Sequence, residues 1–192
     1  MPAYEQWLRY VGGPEAGDDK LYLTCPDASY AETIIAYRQE FLQSGESMDG
    51  TVSLIRQSQC APWLEEAAFY ADPDTVITNG WVKATQLICI RRSDRKMVGA
   101  IHVRHTLNDY LKQFAGHVGY SVAPSERRKG YAKWMLAHVI PYCHALGIAP
   151  VMLSCSESNT GSRSTILANG GKLIRREYEP DEKDWLEIYH IE

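Results

Sequence analysis

Several features that would place a chain in a membrane or outside the cell are missing from this sequence. No apolar run approaches the roughly 18 residues that a membrane-spanning helix needs. Residues 1–13 contain no basic segment followed by an apolar one, which a secretory signal would require. The sequence also has no internal repeats and no low-complexity tract. We therefore expect a cytoplasmic protein that has no membrane partner.

The sequence also lacks an excess of positive charge. Its 20 Lys and Arg residues are outnumbered by 24 Asp and Glu residues, which gives a formal net charge of −4. A chain with this balance has no general attraction to nucleic acid, so any anion-binding site must be local. We expect no nucleic-acid partner.

Paired cysteine motifs are absent as well. The five cysteines are odd in number and widely spaced, and none forms a Cys-x-x-Cys pair. Cys25, Cys89 and Cys155 lie in apolar, strand-like segments, where a free thiol behaves as a small hydrophobic group. We predict that all five are reduced, buried and structural, and that no metal is bound.

What the sequence does contain is an ordered alternation of strand and helix patterns. Residues 1–19, rich in Gly, Pro and Asp near their end, are predicted to be an N-terminal extension, and residues 20–192 to be one domain. The predicted order is strand, two helices, three strands, helix, strand, helix and two strands. It indicates an α/β fold of the α+β type, with a mixed, mostly antiparallel sheet of about seven strands and helices on both faces.

The boundaries of these elements follow from periodicity, caps and turn residues. A Ser29–Glu32 capping box and Gly45 delimit the first helix. The predicted strands are 21–24, 85–91, 97–104, 117–122, 151–155, 173–178 and 185–191, and the later helices are 62–70, 129–146 and 160–169.

The segment from Arg127 to Ala132 carries the clearest chemical signal. It follows a strand that Pro124 ends, and it leads into a long helix whose first peptide N–H groups are unpaired. Such a terminus binds phosphate, and the small residues Gly130 and Ala132 allow the backbone to approach it closely. The bland alternative is a solvated basic turn that caps the helix. No Gly-Lys-Ser/Thr follows, which argues against a nucleotide-hydrolysing P-loop. The basic side chains are Arg127, Arg128 and Lys129.

This segment resembles the GNAT N-acetyltransferase superfamily, whose members place Arg/Gln-x-x-Gly-x-Gly/Ala between the fourth strand and the next helix. Val122 and Pro124 match the family's lead-in. Asn159 matches the asparagine that bonds the pantetheine arm, and residues 169–171 match the end of the helix that follows it. The resemblance covers residues 20–192. The segments 104–109 and 116–120 are also similar to a subgroup of bacterial predicted acetyltransferases.

The resemblance implies that acetyl-CoA is the co-substrate and that a primary amine of a small molecule or a protein is the acceptor. It implies a GNAT fold splayed between the fourth and fifth strands, with the pantetheine arm in the gap. The amine would attack the thioester directly in a ternary complex, and a backbone N–H of the fourth strand would hold the oxyanion. A homodimer stays open. The implied cofactor-binding residues are Tyr120, Val122, Arg127, Arg128, Lys129, Gly130, Tyr131, Ala132, Asn159 and Ser162.

The sequence departs from the family at Ile166, where many members carry a tyrosine that protonates the departing thiolate. Isoleucine has no proton to give, so Tyr120, Tyr131 or water are the candidates for this role. We expect Ile166 to lie beside the sulfur of the cofactor. The departure also favours a second reading, in which the domain binds acyl-CoA without turnover as a sensor or partner module.

The general base is also left open by the sequence. His117 begins the strand that borders the thioester, and its ordinary pKa suits proton transfer near neutrality. Glu157 follows the other splayed strand, where it could either reach the amine or cap the helix that follows. The candidate catalytic residues are therefore His117, Tyr120 and Glu157, with His102, His105 and Asp109 as further candidates for the base. Asp49 and Asp109 are candidates for binding an ammonium group.

Overall fold

The computed structural model describes residues 20–72, 74–75 and 80–192. The predicted N-terminal extension, residues 1–19, lies outside the described residues, so the domain boundary stays a prediction. The strands are β1 (Leu21–Thr24), β2 (Ala84–Arg91), β3 (Met97–Arg104), β4 (Val118–Val122), β5 (Val151–Ser156), β6 (Lys172–Glu179) and β7 (Asp184–Ile191). The α-helices are α1 (Ala31–Ser44), α2 (Cys60–Ala71), α3 (Tyr131–Ala145) and α4 (Thr160–Ala168).

The strands form two hydrogen-bonded sheets rather than one. The first has the order β1-β2-β3-β4 and the second β5-β7-β6, with antiparallel neighbours throughout. The ladder is interrupted between β4 and β5, where the sequence analysis places the splay. The predicted mixed α/β fold of about seven strands is confirmed.

Helices cover both faces of the first sheet, which explains why β2 and β3 are buried along almost their whole length. Side chains alternate between the two faces of a strand. Leu87 and Ile101 pack on the face that α3 and α4 cover. Ile88 and Ala100 pack on the opposite face, under α1 and α2. The prediction of helices on both faces is therefore confirmed.

The first helix begins differently from the sequence prediction. Asp27, rather than Ser29, supplies the cap: its Oδ1 accepts a hydrogen bond from the Ser29 N–H at 2.7 Å, in a helical turn that precedes α1. Asp27 has the extended backbone that an N-cap residue needs. Gly45 ends the helix as predicted, in the left-handed conformation with φ of 69°.

The third helix begins two residues later than its sequence predicts. Arg128 and Gly130 have φ values of 65° and 85°, so the chain cannot be helical before Tyr131. The helix then continues through Pro141 to Ala145. This leaves residues 127–130 as a loop between β4 and α3.

In the part of the chain that the structure describes, no helix combines the length and the apolar character that crossing a bilayer would require.

Candidate active site

Two backbone hydrogen bonds fix how β4 is registered against β3. The Ala123 N–H donates to the Val98 carbonyl at 3.0 Å, and the Arg104 N–H donates to the His117 carbonyl at 2.8 Å. Bonded and non-bonded pairs alternate along an antiparallel ladder. From the bonded pair Val98–Ala123 to the bonded pair Arg104–His117, every second pair of residues is therefore bonded.

The alternation decides which edge each peptide group of β4 faces. Gly119 and Ser121 are in bonded pairs, so their peptide groups point toward β3. Tyr120 and Val122 are in the intervening pairs, so their peptide N–H and C=O groups point to the opposite edge. That edge faces β5.

The same argument applies to β5 and its neighbour β7. The Glu157 N–H donates to a β7 carbonyl at 2.8 Å, which places residue 157 in a bonded pair. The peptide groups of Ser154 and Ser156 therefore point away from β7 and toward β4. Two rows of backbone donors and acceptors face each other across the gap.

The gap is closed at one end by contacts between Gly116, His117 and β5. The His117 N–H donates to the Met152 carbonyl at 2.7 Å, and the Met152 N–H donates to His117 Nδ1 at 3.0 Å. Any side chain on Gly116 would collide with the Met152 carbonyl. Because these bonds lie at the start of both strands, the gap is confined to the ends of β4 and β5 that follow them.

His117, a predicted catalytic residue, is thus part of this closed end. Burial, together with the charges of Arg104 and His190, lowers the pKa of His117 to about 4. The ring is neutral at pH 7, and its Nδ1 accepts the bond from β5. These contacts favour a structural role for His117.

The predicted phosphate loop lies at the open end of the gap. The Gly130 φ of 85° is a conformation that few other residues adopt, and open space surrounds the position of its missing Cβ among the described residues. Arg127 pairs with Glu46, and Lys129 Nζ lies 2.7 Å from Glu126. Arg128 is exposed. Backbone N–H groups at the start of α3, including Tyr131 and Ala132, complete the loop.

Glu126 is a functional candidate that the sequence analysis missed. Only 5% of the residue is exposed, and its carboxylate accepts hydrogen bonds from Arg91 at 2.7 Å, Lys129 at 2.7 Å and Lys96 at 3.1 Å. Burial alone would raise the pKa of Glu126, but the three cations outweigh it and lower the pKa to about 2. Glu126 directly precedes the basic run Arg127–Lys129, but its contacts with Arg91 and Lys96 join residues that are distant in sequence.

Tyr120 extends from β4 to the first turn of α4. Its hydroxyl lies 2.9 Å from Ser162 Oγ, so two predicted site residues meet here. Burial raises the pKa of Tyr120 to about 12, although the hydrogen bond with Ser162 acts in the opposite direction. The phenol therefore carries its proton at neutral pH.

Asn159 is the N-cap residue of α4, a role that the sequence analysis did not assign to it. Its Oδ1 accepts a hydrogen bond from the Ser162 N–H at 3.0 Å, and the residue is exposed. It follows the end of β5 by three residues. The cap occupies the amide oxygen, and the amide nitrogen is the group available to donate to a ligand.

The predicted position of Ile166 is wrong. The residue has 0% exposure and belongs to the core between α3, α4 and the sheet, and its side chain closely approaches Gly171. The preference of an apolar side chain for the core places it there. Ile166 does not line the gap.

The other predicted base candidates are engaged elsewhere. Glu157 forms an ion pair with Arg176 at 2.9 Å. Complete burial lowers the pKa of His102 to about 3, and His105 Nε2 lies 2.8 Å from a threonine hydroxyl of β2. Asp109 is fully exposed and lies 3.6 Å from a lysine on its own turn.

No disulfide joins any of the five cysteines, all of which lie in the described part of the chain, and all but Cys25 are buried. Cys25 is half-buried, which corrects the prediction that every cysteine is buried. Burial raises the pKa of Cys155 to about 11, so this thiol at the end of β5 is protonated at pH 7. It is a poor nucleophile in that state.

On the α1–α2 side of the gap, the loop that contains Asp49 and Gly50 touches β4. The Ser121 hydroxyl donates to the Asp49 carbonyl, and it also lies 2.9 Å from the Tyr37 hydroxyl. A Cβ on Gly50 would lie 2.6 Å from the Tyr120 Cα, so only glycine allows this approach. This loop, which we call the wall loop, therefore forms a wall beside the gap.

The Asp49 carboxyl is the acidic group of this wall. Loss of hydration raises the pKa of this carboxyl and the charge of Glu182 raises it too, whereas a hydrogen bond with Ser47 and the charge of Arg104 lower it. Asp49 is exposed, on the loop that contacts β4 at the α1–α2 side of the gap.

Three comparisons with known proteins were made. The model of the acetyltransferase (GNAT) family matches residues 50–168. A search of curated protein sequences finds no relative. Among solved structures, 156 chains match.

Three of the similar structures illustrate the range. The microcin C7 self-immunity acetyltransferase in complex with acetyl-CoA and AMP has a TM-score of 0.66 and 18% identity, over 90% of this chain and 92% of that chain. RimJ of Mycobacterium smegmatis in complex with CoA-disulfide has a TM-score of 0.68 and 15% identity, over 89% and 81%. Ribosomal-protein-S5-alanine acetyltransferase of Vibrio fischeri has a TM-score of 0.62 and 15% identity, over 91% and 94%.

At these identities the structures show that the fold is shared. The family model covers more than half of the 192 residues and includes the gap and the phosphate loop. The chain belongs to the acetyltransferase (GNAT) family of acyltransferase enzymes.

Proposed function

We propose that this protein transfers an acetyl group from acetyl-CoA to a primary amine of a small molecule or a protein. One observation carries the proposal: the facing rows of peptide groups on β4 and β5 open toward the phosphate loop at the N-terminus of α3. An extended arm with amide groups fits between two strands as an added strand would. An anionic group attached to that arm then meets the helix terminus.

The cofactor contacts follow from this placement. The peptide groups of Tyr120 and Val122 would bond the pantetheine arm, and the Asn159 amide nitrogen and Ser162 would bind it from α4. The pyrophosphate would bind the backbone of residues 127–132, with the exposed Arg128 supplying charge. Arg127 and Lys129 are held by Glu46 and Glu126, so their contribution to phosphate binding is smaller.

The reaction requires two proton transfers. The amine nitrogen attacks the thioester carbon, the carbon–sulfur bond breaks, and the thiolate must be protonated while the ammonium loses a proton. We assign protonation of the thiolate to Tyr120. Its protonated phenol reaches α4, the helix on which many family members carry their tyrosine. We assign ammonium binding to Asp49, and bulk water takes up the proton that the ammonium loses. His117 and Glu157 have structural partners.

Relatives act on different amines. The similar structures include a ribosomal-protein-S5-alanine acetyltransferase and a chimera of a spermidine N-acetyltransferase. Both are consistent with a primary amine as acceptor.

Two measurements test the proposal. Calorimetry should show binding of acetyl-CoA, and thiol release should be detected with at least one member of a panel of amines. Binding without thiol release for every amine would favour the non-catalytic sensor instead. Absence of binding would contradict both readings.

A further inference from the structure

Arg104 lies at the end of β3, on the floor of the proposed acceptor side. It is half-buried, and its Nη1 donates to the Gly116 carbonyl at 3.0 Å, beside the closed end of the gap. Arginine has five N–H donors in a planar fork. Among residues 20–72, 74–75 and 80–192, no carboxylate forms a salt bridge with it.

The guanidinium lies over β4, in contact with Gly119. Arg104 Nη2 is 3.9 Å from the position that a Cβ of Gly119 would occupy, and Gly50 of the wall loop lies at 3.5 Å from the same point. The next residue of β4 is Tyr120, whose peptide group faces the gap. The cation is therefore placed beside the strand along which the thioester would lie.

Among the described residues, this cation has no carboxylate in salt-bridge contact. Burial lowers the pKa of Arg104, and the charges of Asp49 and Tyr110 offset that effect only in part. A half-buried guanidinium with unused donors binds a carboxylate well, because two parallel hydrogen bonds can form.

We infer that Arg104 determines acceptor specificity by binding a carboxylate that the acceptor carries close to its amine. The inference rests on the proposed function, and it narrows the acceptor to an amino-acid-like zwitterion. Asp49 would receive the ammonium and Arg104 the carboxylate, so the two charges of the site match the two charges of the acceptor. The reaction would give an N-acetylated, monoanionic product.

The test uses matched acceptors with the full-length protein. Thiol release from acetyl-CoA is measured with free α-amino acids and with the carboxamide of each. For an acceptor that is used, we expect kcat/KM to exceed that of its carboxamide by about 10- to 100-fold, the worth of a charge-assisted hydrogen bond. The difference should appear mainly in the acceptor KM.

Variants then assign the preference to Arg104. Arg104→Met should bring the acid-to-amide ratio close to one, and Arg104→Lys should restore part of it because the charge returns without the planar fork. Calorimetry with acetyl-CoA shows whether each variant has kept the cofactor site. A structural role would lower activity with both acceptors equally and leave the ratio unchanged.

The outcomes separate this inference from the proposed function. Turnover of carboxylate-free amines with equal or greater efficiency in the wild-type protein would overturn the inference alone. An unchanged ratio in a folded Arg104→Met protein would do the same. Absence of thiol release with every amine, while acetyl-CoA still binds, would overturn both.

Discussion

Tyr120 has a protonated hydroxyl at the first turn of α4, and the proposed function assigns to it the donation of a proton to the thiolate. Its removal in Tyr120→Phe should lower kcat by about 10²-fold or more, the usual worth of a general acid. Acetyl-CoA affinity should change little, because the interaction is made mainly in the transition state. Steady-state kinetics and calorimetry measure the two effects.

Tyr131→Phe is the matched control for this prediction. Tyr131 begins α3, and its hydroxyl accepts a hydrogen bond from Arg91 at 3.3 Å, away from α4. We expect kcat of this variant to stay near that of the wild type. If neither substitution changes kcat, water becomes the better candidate for the proton source.

Glu126 should make the protein sensitive to acid. Because its pKa in the folded state is about 2, below the ordinary 4.5, the stabilisation is complete above pH 4.5 and is lost as the pH falls toward 2. Glu126→Gln should lower the free energy of unfolding by about 1–3 kcal/mol at pH 7. In denaturant titrations, the difference in unfolding free energy between Glu126→Gln and the wild type should shrink as the pH falls from 4.5 toward 2.

Asp94→Asn provides the comparison for Glu126. Asp94 also pairs with Arg91, at 2.6 Å, but 46% of its side chain is exposed. Exposed ion pairs contribute about 0–1 kcal/mol, so the loss should be smaller than for Glu126→Gln. Equal losses would contradict the assignment of a buried, stabilising carboxylate at position 126.

For single residues, the sequence predicts which group a residue can bind better than it predicts which side chains the residue contacts. The Gly130 pattern indicates phosphate binding because it depends on local backbone geometry. The role of Glu126 depends on Lys96, thirty positions earlier, and on Arg91, so no local pattern could reveal it. Ile166 was misplaced for the same reason, since its neighbours in the core are distant in sequence.

The start of α4 combines a helix cap with a proposed cofactor contact. Asn159→Ala removes both, so it should weaken acetyl-CoA binding by about 1–3 kcal/mol and lower stability by about 1 kcal/mol. Asn159→Asp keeps the capping oxygen but loses the amide donors. We expect this variant to keep the melting temperature and to bind acetyl-CoA more weakly. Unchanged affinity of Asn159→Asp in calorimetry would show that the amide nitrogen does not contact the cofactor.

The loop before α3 depends on the left-handed conformation of Gly130. Gly130→Val should abolish acetyl-CoA binding, since a β-branched residue is strained at this φ and would obstruct the approach of phosphate. Gly130→Asn is the informative control, because asparagine tolerates the left-handed region. If the conformation matters most, Gly130→Asn retains part of the affinity; if close approach matters most, it binds as weakly as Gly130→Val. Full affinity in a folded Gly130→Val protein would refute the role of the loop.

Strands and helices were predictable because their signals are periodic and local. The predicted β2–β3 hairpin differs from the observed one by a single residue, with Ala84 at the start of β2. The start of α3 was misjudged because Arg128 adopts a positive φ that its residue type does not indicate. The oligomeric state stays a prediction.

At the scale of the molecule, the described residues contain two sheets. The sheets meet through His117 and Met152 at one end of a shared gap. The resemblance to a family predicted this gap, whereas composition and periodicity alone predict only seven strands and four helices. Which peptide groups face the gap follows from the register against the outer neighbours, β3 and β7. The site is therefore a property of how the two sheets are aligned, and residue patterns do not encode it directly.

Amide hydrogen exchange can test this alignment across both sheets. Without ligand, the Gly119 and Ser121 amides should be protected because they bond β3, and the Tyr120 and Val122 amides should exchange faster. Saturating acetyl-CoA should slow exchange most at Tyr120 and Val122, because the pantetheine arm would bond the gap-facing edge of β4. At about 100 times its Kd, the ligand should also add about 2.7 kcal/mol to the free energy of unfolding.

Adenosine 3′,5′-bisphosphate is the control ligand for this experiment, because it has no pantetheine arm. It should leave the Tyr120 and Val122 amides unprotected even where it occupies the phosphate loop. The contrary result would be equal protection of all four β4 amides without ligand, or no added protection at Tyr120 and Val122 when acetyl-CoA is bound. Either would mean that the gap-facing edge of β4 does not hold the cofactor, and that the proposed site must lie elsewhere on the fold.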